Sequence, residues 1–357
     1  MKFRFKIQQY QTDAVERTVG AFAGQPAKAE MAYRRDTGKQ TSLDDIGYRN
    51  SDIELNNADL LANIQKAQTL GDIPLSNSLM VDSGLGRCSL DIEMETGTGK
   101  TYVYIKTMFE LNRRYGWSKF IVVVPSVAIR EGVMKSFSQL EDHFMEHYGK
   151  KARYFVYNSS NLYQIDQYSS SADLNCMIIN MQAFNTSMKE GAANKESRII
   201  YSERDDFGSR RPIDVLAANR PIIIMDEPQK MEGEATRKAL KNFKPLFVLN
   251  YSATHKTQHN QVYALDALDA YRQRLVKKIE VKGQLGDPGF KSIVKGHGAL
   301  GDTLVVTPHH HGIRGIGTDE SHLGVISERQ YAVILQQDKT LAGDVKRLCL
   351  MLLRAKD

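Results

Sequence analysis

Cysteine is scarce in this sequence, and so are long hydrophobic runs. The three cysteines (Cys88, Cys176 and Cys349) lie far apart and form no CxxC pair. This spacing argues against a disulfide framework and against a cysteine zinc site, and it fits a reducing compartment. No apolar stretch approaches the length of a membrane span, and the first residues, MKFRFKIQQYQTDAVERTV, lack the apolar core of a signal peptide. We therefore expect a cytoplasmic protein with no membrane partner.

Charge of neither sign dominates the composition. The formal net charge is +6, 41% of the residues are hydrophobic and 25% are charged. These values are ordinary for a globular protein with a real core. A mild positive excess is compatible with a nucleic-acid partner but does not indicate one, because most lysines and arginines of such a chain are solvated.

The middle of the sequence alternates short apolar runs with helical patterns. The run KFIVVVPS is followed by residues 128–149, in which apolar side chains recur at helical spacing. Apolar runs without polar alternation indicate strands covered on both faces, as in a parallel sheet flanked by helices. We predict an α/β fold whose doubly wound parallel sheet extends from residue 89 to residue 281. The predicted strands lie within 119–126, 152–158, 174–181, 220–228 and 245–254.

Two segments interrupt this alternation. Residues 20–88 are polar and Gly-rich, and they contain the amphipathic pattern NNADLLANIQKAQTL (56–70), which predicts a helix within an insertion ahead of the sheet. Residues 282–357 are rich in glycine and histidine at first and become helical in pattern near the end. We interpret them as a partial C-terminal extension.

The stretch DIEMETGTGKTYVY (91–104) carries the glycines, lysine and threonine of a phosphate-binding loop. The strict pattern G-x-x-x-x-G-K-[ST] fails at its first position, where Met94 stands. The chemistry survives, because Gly97 and Gly99 free the backbone N–H groups to wrap a phosphate. Lys100 would reach the β- and γ-phosphates of a nucleotide, and the Thr101 hydroxyl would bind Mg²⁺. The alternative is a plain glycine turn between a strand and a helix.

Acidic and small polar residues follow two later strands. In IIIMDEPQ, Asp226 and Glu227 come just after a hydrophobic strand, where a doubly wound sheet binds its ligands. Asp226 would hold Mg²⁺ and Glu227 would polarise the attacking water, although an exposed acidic turn is the alternative. In YSATH, three small residues could relay the state of the γ-phosphate: Ser252, Ala253 and Thr254.

A glutamine near the N-terminus completes the set. Gln11, in QQYQTDAV, carries an amide that can donate to and accept from the edge of adenine. Each of these signals is weak alone. The order Gln11, Lys100, Asp226, Thr254 makes them specific together.

This order is that of the superfamily 2 helicases and translocases, and the chain resembles one branch of them, the restriction subunit of type III restriction–modification enzymes. The DEPQ sequence separates it from the DEAD-box RNA helicases. The resemblance covers residues 1–282 and is carried by LDIEMETGTGKTYVYIKTMFELNRRYGWSKFIVVVPSVAIREGV (90–133), MIINMQAFN (177–185), IIIMDEPQ (222–229), LNYSATH (249–255) and LDALDAYRQRLVKKIEV (265–281).

The resemblance implies a RecA-like first helicase lobe in residues 1–281, with the insertion at 20–88, and an interlobe or truncated segment in 282–357. It implies an ATP-dependent motor that uses Mg²⁺, acts on double-stranded DNA and works with a DNA methyltransferase (modification) subunit. ATP would be bound by Gln11, Thr96, Gly97, Thr98, Gly99, Lys100 and Thr101, with catalysis by Lys100, Asp226 and Glu227, Mg²⁺ on Thr101 and Asp226, and coupling through Ser252, Ala253 and Thr254.

The resemblance also implies two contacts with the DNA backbone, which position a strand without reading bases. Without it, both segments would be interpreted as ordinary strand ends. The implied residues are Pro125, Ser126 and Arg130 in the first contact and Gln182 and Asn185 in the second.

A helicase ATPase site forms between two lobes, and the second lobe supplies arginine fingers. The 76 residues after Val281 are too few for another such lobe, since one βαβ unit takes roughly 30. We therefore expect a truncated restriction subunit that lacks the nuclease domain and hydrolyses ATP weakly alone. A non-catalytic nucleotide- or DNA-binding remnant of an interrupted gene, or one half of a split helicase, stays open as an alternative.

Two further patterns are weaker. Residues 280–282 mimic the E-x-K half of a metal-dependent nuclease site, with Asp266 or Asp269 as a second ligand, but E-x-K is common by chance. The adjacent histidines His309–His311 stand in a polar stretch, where neighbouring histidines seldom converge on one ion. We assign no metal to either pattern.

Overall fold

The computed structural model describes residues 5–28, 31–35, 46–82, 84–185, 195–231 and 233–276, together with the secondary structure of three later strands. The chain divides into two compact units, Met1–Leu265 and Asp266–Asp357. All residues of the predicted nucleotide and DNA sites lie in the first unit. The domain boundary expected after residue 281 stays a prediction.

The elements alternate along the chain as the sequence predicts. The helices are α1 (Gln9–Gly20), α2 (Asn57–Leu70), α3 (Lys100–Tyr115), α4 (Val127–Tyr148), α5 (Tyr163–Ser170), α6 (Lys195–Tyr201), α7 (Pro212–Ala218), α8 (Glu234–Lys241) and α9 (Ala267–Arg272). The strands are β1 (Met31–Arg34), β2 (Ile46–Arg49), β3 (Ser89–Met94), β4 (Lys119–Val124), β5 (Arg153–Val156), β6 (Asn175–Asn180), β7 (Ile222–Asp226), β8 (Val248–Ser252), β9 (Asn260–Leu265), β10 (Ile279–Gly283), β11 (Ser292–Gly296) and β12 (Thr303–Val306).

A seven-stranded sheet forms the centre of the first unit. Its strand order is β5-β6-β4-β7-β8-β3-β9, and every neighbouring pair is parallel. The strands of a parallel sheet all end at the same edge, so the segments after β3, β4, β6, β7 and β8 lie along one edge. The predicted α/β fold with a doubly wound parallel sheet is confirmed.

Helices cover both faces of this sheet. On one face, Tyr251 of β8 donates a hydrogen bond from its hydroxyl to Thr107 of α3 at 3.0 Å, and the rings of Phe109 (α3) and Phe144 (α4) stack at 4.8 Å. Burial on both sides explains why β4, β6 and β7 contain apolar runs without alternation. The other face carries one apolar cluster from β4, β6 and β7 with α5, α7 and α8, including Ile121, Val123, Met177, Ile179, Ile223, Met225, Ile165, Tyr168, Leu216 and Leu240.

Local chemistry defines the ends of α3 and α4, which start at the carboxyl edge. Helix α3 follows Gly99, whose φ is +90°, and it stops at Gly116, whose N–H donates to the Asn112 carbonyl at 2.9 Å. Helix α4 is capped by Ser126, whose hydroxyl accepts from the Ile129 N–H at 3.4 Å. The Ser126 side chain is therefore engaged in holding the helix.

The predicted insertion packs against the opposite, amino edge of the sheet. Asn50, 1% exposed, donates its amide to the carbonyls of Lys119 and Arg220, both at 2.9 Å. Its side-chain oxygen accepts from the N–H groups of Ser118 (2.8 Å) and Lys119 (3.0 Å). One side chain thus satisfies backbone groups at the beginnings of β4 and β7. The predicted helix in this insertion is confirmed as α2.

The second unit contains α9 and a three-stranded antiparallel sheet in the order β10-β11-β12. Asp266 caps α9, because its carboxylate accepts from the Asp269 N–H at 2.7 Å. This capping role accounts for Asp266 without a metal. Within the described residues, none of the helices is long and apolar enough to span a membrane.

Candidate nucleotide-binding site

The phosphate loop lies at the carboxyl edge, between β3 and α3. Gly97 and Gly99 have φ values of +84° and +90°, a left-handed conformation that side chains with a Cβ rarely adopt. Thr98 turns its hydroxyl back to the Glu95 carbonyl at 2.6 Å, which closes the loop. The Thr96 side chain in this loop is exposed. Met94, which stands at the first glycine position of the strict pattern, is the last residue of β3 and has no left-handed backbone conformation that would require glycine.

Lys100 and Glu227 form an ion pair across the site. The Lys100 Nζ lies 2.9 Å from Glu227 Oε1 and donates to the Met94 carbonyl at 3.3 Å. The two side chains are only 10% and 16% exposed. The structure therefore brings together residues that are 127 positions apart in sequence and that were both predicted to act on the nucleotide.

Asp226 is buried next to this pair. Its carboxyl is 5% exposed and accepts from the Tyr104 hydroxyl at 3.4 Å. Burial, reinforced by the neighbouring Glu227 charge, raises the pKa of Asp226 to about 6, while Lys100 opposes the shift. Burial also holds the pKa of Tyr104 well above its usual range, so the phenol stays a donor. Thr101, one turn earlier in α3, hydrogen bonds with Tyr104.

A hydrogen-bond chain joins the acidic pair to the segment after β8. The Gln229 amide donates to the second carboxylate oxygen of Glu227, and Gln229 Oε1 accepts from the Ser252 hydroxyl at 2.7 Å. The N–H of Thr254 donates to Ser252 Oγ at 3.1 Å. Gln229 was not among the predicted site residues. The signal in the sequence was its place in DEPQ, two residues after Glu227.

The backbone of Glu227 is held in an unfavourable conformation. Its φ is +59°, which costs a residue with a side chain on the order of 1 kcal/mol or more. The Glu227 N–H donates to the Tyr251 carbonyl at 2.9 Å, so strand β8 helps to hold this turn. Strain of this kind is common where side chains are aimed at a ligand.

Gln11 contacts the phosphate loop directly. Its amide donates to the Thr98 carbonyl at 3.0 Å and to the Tyr10 hydroxyl at 3.3 Å, and Tyr10 itself donates to the same carbonyl at 2.9 Å. A Cβ on Gly99 would lie 2.5 Å from the Gln11 amide nitrogen. Helix α1 thus places Gln11 beside the loop, next to where a nucleotide would be recognised.

The first predicted DNA contact and Gln182 also come together, after β4 and β6. Gln182 donates to the Pro125 carbonyl at 3.2 Å, and its own side-chain oxygen accepts from Asn180 at 3.0 Å. Arg130 donates to Asn180 at 3.1 Å and pairs with Glu131 at 3.0 Å. Asn180 and Glu131 were not predicted, and both hold the arginine.

Asn185 lies apart from this group. Its amide donates to the hydroxyl of Thr236, a buried residue of α8, at 3.0 Å, and its side-chain oxygen is buried without a hydrogen-bond partner among the described residues. In this structure Asn185 connects the segment after β6 to α8. Its predicted contact with DNA stays a prediction.

The two weaker patterns fall where the structure describes little or nothing. Only the strand conformation is described for residues 280–282, and His309–His311 lie outside the described residues. In the part of the chain that the structure describes, no group of three or more His, Cys, Asp or Glu side chains could hold a metal ion. The Thr101 and Asp226 pair would instead need phosphate and water oxygens to complete an Mg²⁺ shell, as is usual for this ion.

The arrangement fits a nucleoside triphosphate with Mg²⁺. Backbone N–H groups at the start of α3 favour an anion, Lys100 supplies a cation, and a buried carboxylate lies beside them. These roles for individual residues stay predictions.

Comparisons with known proteins relate the chain to type III restriction enzymes. The family model described as type III restriction enzyme, res subunit, matches residues 4–257. The chain is similar to the Res subunits of the type III restriction-modification enzymes EcoPI, from Escherichia phage P1, and EcoP15I, from Escherichia coli. It is 31% identical to each over 245 residues, which cover 64% of this chain and 25% of the relative. The matched region therefore spans a quarter of the length of these relatives.

Among solved structures, the chain is similar to the SWI2/SNF2 ATPase core of Sulfolobus solfataricus in complex with dsDNA. The identity is 14% and the TM-score is 0.30, with 58% of this chain and 33% of that chain covered.

Proposed function

The chain belongs to the type III restriction enzyme res subunit family, and from this premise we propose that it is the ATP-dependent motor lobe of such a subunit. It would bind ATP with Mg²⁺ and double-stranded DNA, and it would work with a DNA methyltransferase subunit. The single observation that carries the proposal is the 2.9 Å contact between Lys100 and Glu227 beside the phosphate loop. It joins the two motifs that a nucleotide motor needs.

Each residue has a part in this proposal. Backbone N–H groups around Gly97 and Gly99 bind phosphate, and Lys100 leaves Glu227 to neutralise the β- and γ-phosphates. Thr101 and Asp226 hold Mg²⁺, which supplies charge stabilisation to the phosphoryl group. Glu227, once free of Lys100, accepts a hydrogen bond from the attacking water. The contact between Lys100 and Glu227 therefore holds the site in a resting arrangement until a nucleotide competes for the lysine.

We expect the 357-residue chain to bind ATP but to turn it over slowly by itself. Arginine fingers from a partner lobe are worth roughly 10³–10⁵ in the rate of phosphoryl transfer. A non-catalytic role, in which the chain binds nucleotide or DNA without hydrolysis, is the second candidate. The Lys100–Glu227 ion pair would also suit this role, because it engages the carboxylate that hydrolysis would need.

The test is nucleotide binding by a Lys100→Ala variant, measured with a fluorescent ATP analogue in the presence of Mg²⁺. We expect affinity to fall at least about tenfold, since the lysine is the side-chain cation that the proposal places on the terminal phosphates beside Mg²⁺. Lys66→Ala, which removes an exposed lysine of α2, should leave affinity unchanged. Equal affinities for wild type and Lys100→Ala would refute the phosphate-loop assignment.

A further inference from the structure

The connection between β8 and β9 is short for two parallel strands. Both strands flank β3 and run parallel to it. The chain must therefore return from the carboxyl edge to the amino edge within residues 253–259, which we call the crossover. Parallel connections usually need a dozen or more residues and a helix. Seven residues reach at most about 25 Å, so the crossover has little slack as it passes over β3.

Asp91 of β3 holds the crossover at its far end. This carboxylate is 1% exposed and lies on the face of β3 that also carries Glu93. Its Oδ2 accepts from the His259 backbone N–H at 2.6 Å, and its Oδ1 accepts from the Asn250 amide at 2.8 Å. The His259 Nδ1 lies 3.2 Å from the same Oδ1. Burial alone would raise the pKa of Asp91, but the hydrogen bond from His259 and the nearby histidines outweigh it and lower the pKa.

His255 holds the crossover at its near end. Its side chain is 5% exposed, its Nδ1 lies 4.0 Å from Asp91 Oδ1, and it hydrogen bonds to the Ile92 backbone. Its Nε2 is buried without a hydrogen-bond partner among the described residues. Burial lowers the pKa of His255, so the ring is neutral at neutral pH. A buried neutral ring next to Thr254 limits how that residue can move.

Thr254 is in turn tied to the nucleotide site. The Thr254 N–H donates to Ser252 Oγ at 3.1 Å, and the Ser252 hydroxyl donates to Gln229 Oε1 at 2.7 Å. The Gln229 amide in turn donates to Glu227. A continuous set of contacts therefore leads from Asp91 to the carboxylate that pairs with Lys100. Nothing in the predicted motif set assigned a role to Asp91, His255 or His259.

We propose that Asp91, His255 and His259 are positioning residues for ATP hydrolysis. They anchor the crossover to β3 and so fix the hydrogen bonds that lead from Ser252 through Gln229 to Glu227. This inference rests on the proposed function. An anchor of this kind controls the alignment of Glu227 with the attacking water more than the binding of the phosphates. Its loss should therefore lower the rate of hydrolysis with little change in nucleotide affinity.

The experiment compares Asp91→Asn with Glu93→Gln in the full chain. Glu93 lies on the same face of β3 and accepts from Gln261 at 2.8 Å, so its variant removes one acid from the same strand and keeps that acceptor. In single-turnover hydrolysis with protein in excess, we expect Asp91→Asn to slow the reaction about tenfold while ATP affinity stays within about twofold. Amide hydrogen exchange in 252–260 should quicken in Asp91→Asn alone. Equal hydrolysis rates and equal exchange in the two variants would overturn the inference.

A second pair of variants decides the question if Asp91→Asn does not fold. In His259→Asn the amide nitrogen can replace the imidazole Nδ1 as side-chain donor to Asp91, whereas His259→Ala keeps only the backbone N–H of this residue as a donor. We expect His259→Asn to retain the hydrolysis rate within about threefold and His259→Ala to lose about tenfold. Equal rates for the two variants would contradict the anchor. Failure of the wild-type chain to bind ATP would instead refute the proposed function.

Discussion

At the scale of single residues, Asp226 combines a proposed function with a cost to stability. Its pKa is about 6 in the folded chain, because of burial and the Glu227 charge, against an ordinary value of 3.8. A group whose pKa is raised on folding contributes its full stabilisation at pH values below its pKa in the unfolded chain. That contribution is lost as the pH rises through its pKa in the folded chain. The loss should therefore occur between pH 4 and pH 6.

Asp226→Asn removes this titration and should stabilise the chain at neutral pH. Since one pKa unit corresponds to about 1.4 kcal/mol, we expect the free energy of unfolding to rise by roughly 3 kcal/mol at pH 7.5. The gain should shrink to about 1 kcal/mol at pH 4.5. Urea denaturation at both pH values, with EDTA present, measures it. Asp214→Asn, at an exposed ion pair with Arg211, serves as the control and should show no such pH dependence. A gain that is equal at both pH values would contradict this explanation.

Single residues also show which parts of the candidate site can be predicted from the sequence and which cannot. Lys100 and Glu227 could be predicted because each stands in a short motif whose residue types fit the chemistry. Gln229 and Asp91 could not, because their roles depend on contacts across 23 and 168 positions, with Ser252 and His259. Asp91 did leave a signal, since an acid in a strand that is expected to be buried on both faces is costly unless it is paired.

At the scale of elements, strands that are buried on both faces were the most predictable. The runs in β4, β6 and β7 are mostly apolar, and these strands and β8 were each predicted within a few residues. Strand β9 was missed, because it begins with the polar residues Asn260 and Gln261 and leaves an apolar run of only four residues. The hairpin of β1 and β2 was also missed, since its strands have only four residues each and lie in a polar stretch.

The insertion illustrates an element whose sequence hides its role. Only its helix α2 has a readable pattern, yet Asn50 completes the hydrogen bonding at the beginnings of β4 and β7. The insertion is therefore part of how the sheet is closed at its amino edge. A buried amide that satisfies several backbone groups is costly to remove.

We expect Asn50→Ala to lower the free energy of unfolding by about 3 kcal/mol, because buried N–H and C=O groups at the strand ends lose their partners. Chemical denaturation measures this loss. Nucleotide affinity of the folded protein should not change, since the phosphate loop is at the other edge of the sheet. Asn161→Ala, at an exposed turn, is the matched control and should cost less than about 0.5 kcal/mol. A loss equal to that of the control would show that the insertion is not needed for the sheet.

At the scale of the whole molecule, a net charge of +6 is too small to define a DNA-binding surface. Placement of individual cations must therefore decide binding. Arg130, at the carboxyl edge, is held by Asn180 and by Glu131, and its side chain is 19% exposed. Glu131 competes with any phosphate for the same guanidinium. Removal of the Arg130 charge and removal of the Glu131 charge should therefore change the affinity for DNA in opposite senses.

Arg130→Ala should weaken binding to duplex DNA about threefold to tenfold and lower the slope of log affinity against log salt by about 1. Glu131→Gln should strengthen binding, because it releases the guanidinium from its carboxylate partner. Arg113→Ala, which removes an exposed arginine of α3 that pairs with Glu110, changes the net charge equally and should have little effect. Fluorescence anisotropy with labelled duplex at several salt concentrations measures all three. If Arg130→Ala and Arg113→Ala weaken binding equally, DNA responds to overall charge and the carboxyl edge makes no specific backbone contact.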